Sequence, residues 1–118
     1  MVIKYGSTRT VFLIGKYAFK VPSFKQWNLF LWGLLANRQE KLFSGVFDGL
    51  CPVLLYVPGG FLVVMPRCTS LDYTTFIETG TDVWLKERGL ENICEGKLDC
   101  FGVLEGNLVV VDYGNLNK

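Results

Sequence analysis

The sequence predicts an α+β domain: a five-stranded antiparallel sheet that carries one long helix, followed by a smaller part that contains a β-hairpin. Three observations predict it. Short runs rich in β-branched and aromatic residues alternate with glycine-bearing turns, which is typical of hairpins. A longer stretch with apolar residues at helical spacing separates the third run from the fourth, and a final apolar run ends at Asp112. With 118 residues, half of them hydrophobic, the chain suffices for one packed domain.

The first three strands follow from their composition. Residues 2–6 and 10–14 are predicted to form a hairpin, and residues 17–22 form a third strand, which Pro22 ends because it has no N–H to donate. Lys20 alternates with its apolar neighbours in that strand and therefore lies on the opposite face. It is either a solvated lysine or a cation directed at whatever the first turn covers.

A long helix is predicted over residues 24–43, with Ser23 as its N-cap. Its apolar residues recur at helical spacing: Trp27, Phe30, Leu31, Leu34, Leu35 and Leu42. Gly33 is a weak point within it. Glu40 lies near the end of the helix. Because residues 36–39 interrupt the apolar stripe, the sequence does not decide which face of the helix Glu40 occupies. The alternative to a functional acid is a solvated one that pairs with a basic neighbour.

The remaining elements come from the same kinds of signal. They are a second hairpin (52–57 and 61–65), two short helices (70–77 and 81–89), an irregular segment (92–97) and a third hairpin (101–104 and 107–111). The third hairpin leaves Asp112 at the end of a buried strand. A carboxylate there costs free energy unless a cation, a metal or hydrogen-bond donors offset it. The alternative is a turn-forming aspartate that accepts backbone N–H bonds.

Composition excludes several classes of function. The net charge of +1, from 12 basic and 11 acidic residues, provides no basic footprint for nucleic acid. Residues 1–7 do not fit a signal peptide, and apolar runs such as 61–65 are far shorter than the roughly 20 residues that span a bilayer. We therefore expect a cytoplasmic protein without membrane contact. The four cysteines form no Cys-x-x-Cys pair and there is no histidine, so buried reduced thiols are expected instead of disulfides or zinc.

Five short motifs stand on the predicted elements in a definite order. They are Gly6-Ser7-Thr8-Arg9-Thr10-Val11 in the first hairpin, Ala18-Phe19-Lys20 in the third strand, Asn37-Arg38-Gln39-Glu40 in the helix, Val64-Met65-Pro66-Arg67 after the second hairpin, and Asp112-Tyr113-Gly114. This order resembles a protein kinase reduced to its first lobe and the start of its second, over nearly the whole chain. More narrowly, the first motif and the Val-Met-Pro-Arg motif resemble small kinase-like proteins encoded by bacteriophages.

The resemblance implies a single kinase-like domain, with residues 1–65 as the first lobe and residues 66–118 as the hinge and a truncated second lobe. It implies ATP and magnesium as cofactors. A fixed ammonium meets the phosphates, a carboxylate holds that ammonium in place, and a second carboxylate binds the metal. The residues implied are Gly6, Ser7, Lys20, Glu40 and Met65 for the nucleotide and Asp112 for magnesium.

The sequence departs from the family at the catalytic loop. Counting back from the third hairpin, Glu95 and Cys100 stand where the family has the catalytic Asp and the metal-binding Asn. Asp99 serves as base or ligand only if the loop is shifted. The sequence also stops four residues after Gly114, so we expect no activation segment and no substrate-binding helices. Phosphoryl transfer is therefore expected to be weak or absent.

Three hypotheses follow. The first is a catalytically impaired, phage-encoded kinase-like protein that keeps an ATP pocket and acts in the host cytoplasm by binding and modulating a host protein. The second is an active minimal kinase, with Asp99 or Glu95 as base, that phosphorylates itself, a host protein or a small molecule. The third is a small α+β interaction module without nucleotide binding, in which Lys20 and Glu40 never meet.

Aromatic residues of the long helix bear on partners. Trp27, Phe30 and Trp32 lie on more than one face of it, which is more than the core of a single lobe should need. One helix face is therefore predicted to be an interface, used for homodimerisation or for capture of a host protein.

Overall fold

The protein is an α+β domain with two sheets and one long helix. The structure is a computed structural model that describes residues 1–6, 8–94 and 96–114. In chain order its elements are β1 (Val2–Tyr5), β2 (Arg9–Ile14), β3 (Tyr17–Pro22), α1 (Trp27–Phe43), β4 (Leu55–Val57), β5 (Leu62–Pro66), β6 (Thr69–Ser70), α2 (Tyr73–Thr79), α3 (Thr81–Arg88), a 3-10 turn (Leu98–Cys100), β7 (Phe101–Leu104) and β8 (Asn107–Val110).

The first sheet confirms the predicted five antiparallel strands, in the order β1-β2-β3-β5-β4. Strand β3 lies at its centre, where Lys20 is opposite Val11 of β2 and Val63 of β5. Because directly opposite residues of an antiparallel pair lie on the same face, Lys20, Val11 and Val63 share one face of the sheet. That face looks towards α1 and the second part of the chain.

Helix α1 begins at Trp27 instead of residue 24, and Ser23 does not cap it. The residue before the helix, Gln26, has extended backbone and makes no side-chain capping bond. The Oγ of Ser23 instead accepts a hydrogen bond from the backbone N–H of Lys25, at 3.3 Å. Short hydroxyl side chains often close such local turns, and here that turn competes successfully with the predicted cap.

The buried face of α1 also differs from the predicted apolar stripe. The buried residues are small or polar: Gly33, Ala36, Asn37 and Glu40. Trp27 and Leu42 of the apolar stripe are about 70% exposed, at 72% and 68%. Small residues bring the helix very close to the sheet, since a Cβ on Gly33 would lie 2.4 Å from the carbonyl oxygen of Thr8. The solvated position considered for Glu40 is therefore wrong.

The second sheet has three strands, in the order β6-β7-β8, where the sequence predicted a two-stranded ribbon. The additional strand β6 pairs Thr69 with Val103 and Ser70 with Gly102. Its two residues give no periodic signal, which explains why the pattern missed them. Helix α2 consequently begins at Tyr73 instead of residue 70. The carboxylate of Asp72 caps this helix by accepting a hydrogen bond from the N–H of Thr75 at 2.7 Å.

Strand β4 starts at Leu55, later than the predicted residue 52, and the chain shortly before it pairs with the other sheet. Leu50 forms a parallel bridge with Val110, and the N–H of Cys51 donates to the carbonyl of Val110 at 2.8 Å. The residues between Pro66 and Thr69 join the sheets a second time, covalently. These two links join the sheets.

One hydrophobic core spans both parts. It includes Val63 and Met65 from the first sheet together with Phe101 and Val110 from the second. Of the cysteines, Cys51, Cys94 and Cys100 are buried as predicted, and Cys68 is half-buried. None of the helices within the described ranges is both long and apolar enough to cross a membrane.

Candidate functional site

Lys20 and Glu40 meet in the interior between the sheet and α1. The Nζ of Lys20 lies 3.1 Å from each carboxylate oxygen of Glu40. The exposed fractions of the two residues are 5% and 0%, so neither side chain is solvated. The separation expected for a module in which they never meet is not observed, and the solvated alternative for Lys20 is wrong.

Arg9 is a second cation at this site, and the sequence analysis assigned it no role. Its Nη1 donates to Oε1 of Glu40 at 2.5 Å, and its Nη2 donates to Oε2 at 3.0 Å. The same Nη2 donates to Oδ1 of Asp112 at 2.7 Å. Arg9 is 8% exposed. Its planar guanidinium therefore bridges the two acids in a geometry that a lysine cannot reproduce.

The strand period contained a signal for Arg9. Arg9 precedes Val11 by two residues in β2, so both lie on the same face of the sheet. Val11 is the cross-strand partner of Lys20, which places Arg9 beside Lys20 once the register is known. That register is set by the two-residue turn between β2 and β3, which leaves Ile14 opposite Tyr17.

Asn37 contacts both strands of the site from the helix. It lies one turn before Glu40 and is fully buried. Its Oδ1 accepts from Nη1 of Arg9 at 3.1 Å, while its Nδ2 donates to the carbonyls of Lys20 at 3.1 Å and Gly60 at 2.9 Å. Its side chain thus ties α1 to β3 and to the turn between β4 and β5.

The segment after β8 docks against the same helix. The Nζ of Lys20 donates to the carbonyl of Val111, and the N–H of Tyr113 donates to Oε2 of Glu40 at 3.1 Å. The Tyr113 hydroxyl donates to the carbonyl of Cys51 at 2.6 Å, and its side chain is fully buried. The structure therefore brings Lys20, Glu40 and Asp112 together, with Arg9 between the acids.

The electrostatics of the cluster favour the charged forms. Burial by itself raises the pKa of Glu40, but Arg9 and Lys20 outweigh burial and hold this pKa below its ordinary value of 4.5. Burial also lowers the pKa of Arg9, yet the adjacent Glu40 carboxylate more than compensates and raises it. Within the described residues, every buried side-chain nitrogen and oxygen has a hydrogen-bond partner. The cluster is thus a closed network of charges.

The lowered pKa of Glu40 predicts how stability depends on pH. A carboxyl group whose pKa falls on folding stabilises the protein above its unfolded pKa and loses this contribution as the pH drops through the folded one. We expect the difference in free energy of unfolding between wild type and Glu40→Gln to stay nearly constant down to about one pH unit above the ordinary value of 4.5, and to shrink progressively as the pH falls through and below 4.5. Urea titrations over a pH series measure this difference. A difference that instead grows as the pH falls towards 4.5 would show that burial dominates, because a raised pKa makes the folded protein bind the proton more tightly than the unfolded chain does.

A cleft of about 1040 Å³ opens between the two sheets beside this cluster. Its walls include apolar side chains of the first sheet, such as Val11, Ala18 and Met65, and of the second part, such as Leu71 and Phe101. Of the residues implied by the resemblance, Gly6, Lys20, Met65, Asp99 and Asp112 line it. Glu40 lies behind Lys20, whereas Ser7 and Glu95 lie outside the described residues.

Magnesium does not fit the residues at this position well. One carboxylate oxygen of Asp112 is taken by the guanidinium of Arg9. Cys100 stands where the resemblance implies an Asn, and its hydrogen bond with Cys94, together with burial, raises the pKa of its thiol. A neutral thiol is a poor ligand for a hard cation. Among the described residues no group of three or more acids and cysteines is placed to hold a metal ion.

The cleft is suited to an elongated anionic ligand with an apolar end. Apolar walls exclude water from a flat ring, and a fixed ammonium at the base meets negative charge. No protein-family model, no curated protein and no solved structure matches this chain. The geometry of the cleft is therefore the basis for a functional assignment.

Proposed function

We propose that this protein is a catalytically impaired kinase-like domain that binds ATP in the cleft and acts by binding and modulating a host protein. The observation that carries the proposal is the buried Lys20–Glu40 pair at the base of the cleft, with N–O distances of 3.1 Å. A lysine fixed in this way presents its charge without an entropic cost on binding. The first-hairpin motif and the Val-Met-Pro-Arg motif resemble small kinase-like proteins encoded by bacteriophages, which supports a role inside an infected bacterium.

The chemistry of the cleft supports an adenine nucleotide. Val11, Ala18 and Met65 form an apolar surface on the side of the first sheet, suited to a purine ring. Lys20 lies deeper in the cleft, where a phosphate chain extending from that ring would meet it. The turn at Gly6 is closed by a hydrogen bond from its N–H to the carbonyl of Arg9, at 2.8 Å, and lies at the rim.

The segment before β7 supports impaired catalysis. Asp99 lies in the 3-10 turn, is exposed and lines the cleft, so it is the candidate base from this segment. Cys100, at the place of the metal-binding Asn, is 3% exposed and cannot serve as an amide ligand. Phosphoryl transfer needs both the nucleophile and the phosphate held in line. Because Cys100 replaces the metal-binding residue, the part of that arrangement that holds the phosphate is incomplete.

An aromatic patch supports a protein partner. It consists of Phe30 and the three aromatic rings that contact it, those of Phe24, Trp27 and Phe61. Trp27 stacks on Phe30 with ring centres 5.6 Å apart, and Phe61 lies 6.3 Å from Phe30. Phe24 and Trp27 are 77% and 72% exposed. Contiguous exposed aromatic rings are typical of interaction sites. The patch is the face expected to contact the host protein or a second copy of this chain.

The nucleotide pocket is tested with ATP and the Lys20→Met variant. We expect wild type to bind ATP and the variant to bind about tenfold to a hundredfold more weakly, because the positive charge that would face the phosphates is lost. Isothermal titration calorimetry measures both affinities. Lys16→Met, at an exposed lysine in the turn before the same strand, is the matched control and should bind like wild type. No heat with wild-type protein would remove the nucleotide from the proposal.

Impaired transfer and partner binding need their own measurements. With radiolabelled ATP we expect no label transfer to bacterial lysate or to the protein itself. Transfer that disappears in Asp99→Asn would establish the active-kinase alternative. For the partner, a pulldown from bacterial lysate is compared between wild type and Trp27→Ser, and only proteins lost with the variant count. Light scattering of wild type and of Trp27→Ser detects a homodimer that forms through the same patch, because only the wild type would then be dimeric.

A further inference from the structure

We propose that the cleft binds its nucleoside triphosphate without a divalent cation, because the guanidinium of Arg9 occupies the side of Asp112 that a metal ion would need. This inference rests on the proposed function and specifies which cation accompanies the phosphates. It starts from the contact between Nη2 of Arg9 and Oδ1 of Asp112, at 2.7 Å. A magnesium ion bound at that oxygen would face a fixed positive charge a few ångströms away.

Arg9 is not free to move aside for a metal. Its guanidinium donates to both carboxylate oxygens of Glu40 and to the amide oxygen of Asn37, in addition to Asp112. Glu40 and Asn37 are fully buried, so turning Arg9 outward would leave buried acceptors without one of their donors. The position of the cation beside Asp112 is therefore part of the folded structure.

The other donors around Asp112 do not compensate. Magnesium takes about six oxygen ligands in a strict octahedron. Cys100 offers a buried sulfur at the place where a second oxygen ligand would be expected. Asp99 lines the same cleft from the 3-10 turn, but the described acids and cysteines include no cluster of three. Asp112 itself is half-exposed, with 51% of its side chain accessible, and holds its cation through one oxygen.

The charge of the cleft makes a metal unnecessary for binding an anion. Five basic side chains among the described residues line it: Lys4, Arg9, Lys20, Arg67 and Lys97. The acidic side chains among the described residues that line it are two, Asp99 and Asp112. If Glu40, which lies behind Lys20, is also counted as an acid, the basic side chains around the opening still outnumber the acidic ones. A triphosphate therefore meets compensating charge from the protein, where an ordinary kinase supplies it with magnesium.

The first experiment compares ATP binding by calorimetry in excess EDTA and in millimolar magnesium. We expect dissociation constants that agree within about threefold. Binding that is about tenfold or more tighter with magnesium would overturn the inference and leave the nucleotide pocket intact. Absence of binding under both conditions would instead overturn the proposed function, and the inference with it. The two failures are thus distinguishable.

The second experiment uses Asp112→Asn, which keeps an oxygen for Arg9 and removes the negative charge. If no metal binds there, the variant should bind ATP with equal or up to about tenfold higher affinity in both buffers, since one charge that repels phosphate is gone. An affinity that falls in magnesium and not in EDTA would assign Asp112 to the metal and overturn the inference. The unfolding midpoint of the variant verifies that it is folded.

A readout without nucleotide completes the test. The electron paramagnetic resonance signal of aqueous Mn²⁺ drops when the ion binds a protein. We expect titration of wild type into Mn²⁺ alone to leave the signal unchanged, as for Asp112→Asn. A drop with wild type that Asp112→Asn abolishes would show that Asp112 binds a divalent cation despite Arg9, and would refute the inference.

Discussion

Glu40→Ala is expected to lower the free energy of unfolding by about 3–5 kcal/mol, the cost typical of removing one partner from a buried ion pair. Glu40 is fully buried and accepts from the side chains of Arg9 and Lys20 and from the N–H of Tyr113. Without it Lys20 loses the carboxylate it pairs with, and Arg9 keeps only Asp112 as an acidic partner. Urea denaturation followed by tryptophan fluorescence measures the loss, and for a domain of ordinary stability it is a large part of the total.

The matched control is Glu78→Ala, which removes an exposed acid from a short helix. It should change the free energy of unfolding by at most about 0.5 kcal/mol, as exposed substitutions usually do. A loss below about 1 kcal/mol for Glu40→Ala would mean that Arg9 and Lys20 reach solvent in the folded protein. In that case the closed charge network does not exist in solution.

Gly60→Ala is expected to cost about 2–5 kcal/mol, from two separate causes. Gly60 has a φ of 87°, and a Cβ in left-handed backbone costs about 1–2 kcal/mol. The added Cβ would also lie 2.1 Å from the carbonyl oxygen of Leu34 and 3.0 Å from its Cα, both backbone atoms of α1. The helix must move away from the sheet to relieve this contact, which adds about 1–3 kcal/mol.

Gly106→Ala separates these causes. Gly106 has a φ of 83°, close to that of Gly60, but a Cβ there would meet nothing within 4 Å. The control should therefore lose only the backbone part, about 1–2 kcal/mol. The excess loss in Gly60→Ala measures the close approach of α1 to the turn between β4 and β5. Equal losses in the two variants would argue against that approach.

Much of the fold was predictable because strands have a recognisable local sequence pattern. Runs of β-branched and aromatic residues between glycines predicted the five strands of the first sheet and the last hairpin. The bounds were less accurate where distant contacts decided them. The beginning of β4 depends on Leu50 and Cys51 pairing with Val110, and β6 exists only because β7 offers it an edge. Neither effect leaves a local pattern.

The candidate site was predicted in part, and the error on α1 shows why it was not complete. An apolar stripe normally marks the buried face of a helix. In α1 the buried face is small and polar because Gly33 and Ala36 admit the sheet closely while Asn37 and Glu40 bind Arg9. The aromatic residues are left outside. Periodicity alone cannot distinguish such a face from a solvated one, since a buried charge is satisfied only by partners far away in sequence.

From the sequence alone, most of the elements, their order, and the positions of Lys20, Glu40 and Asp112 on a strand, a helix and a strand end could be predicted. These follow from spacing and propensity, which act over a few residues. Only the tertiary structure decided that Arg9 lies between Glu40 and Asp112, 31 and 103 residues away in the chain. That placement depends on strand register and on how closely α1 approaches the sheet, and both arise from packing summed over the whole domain.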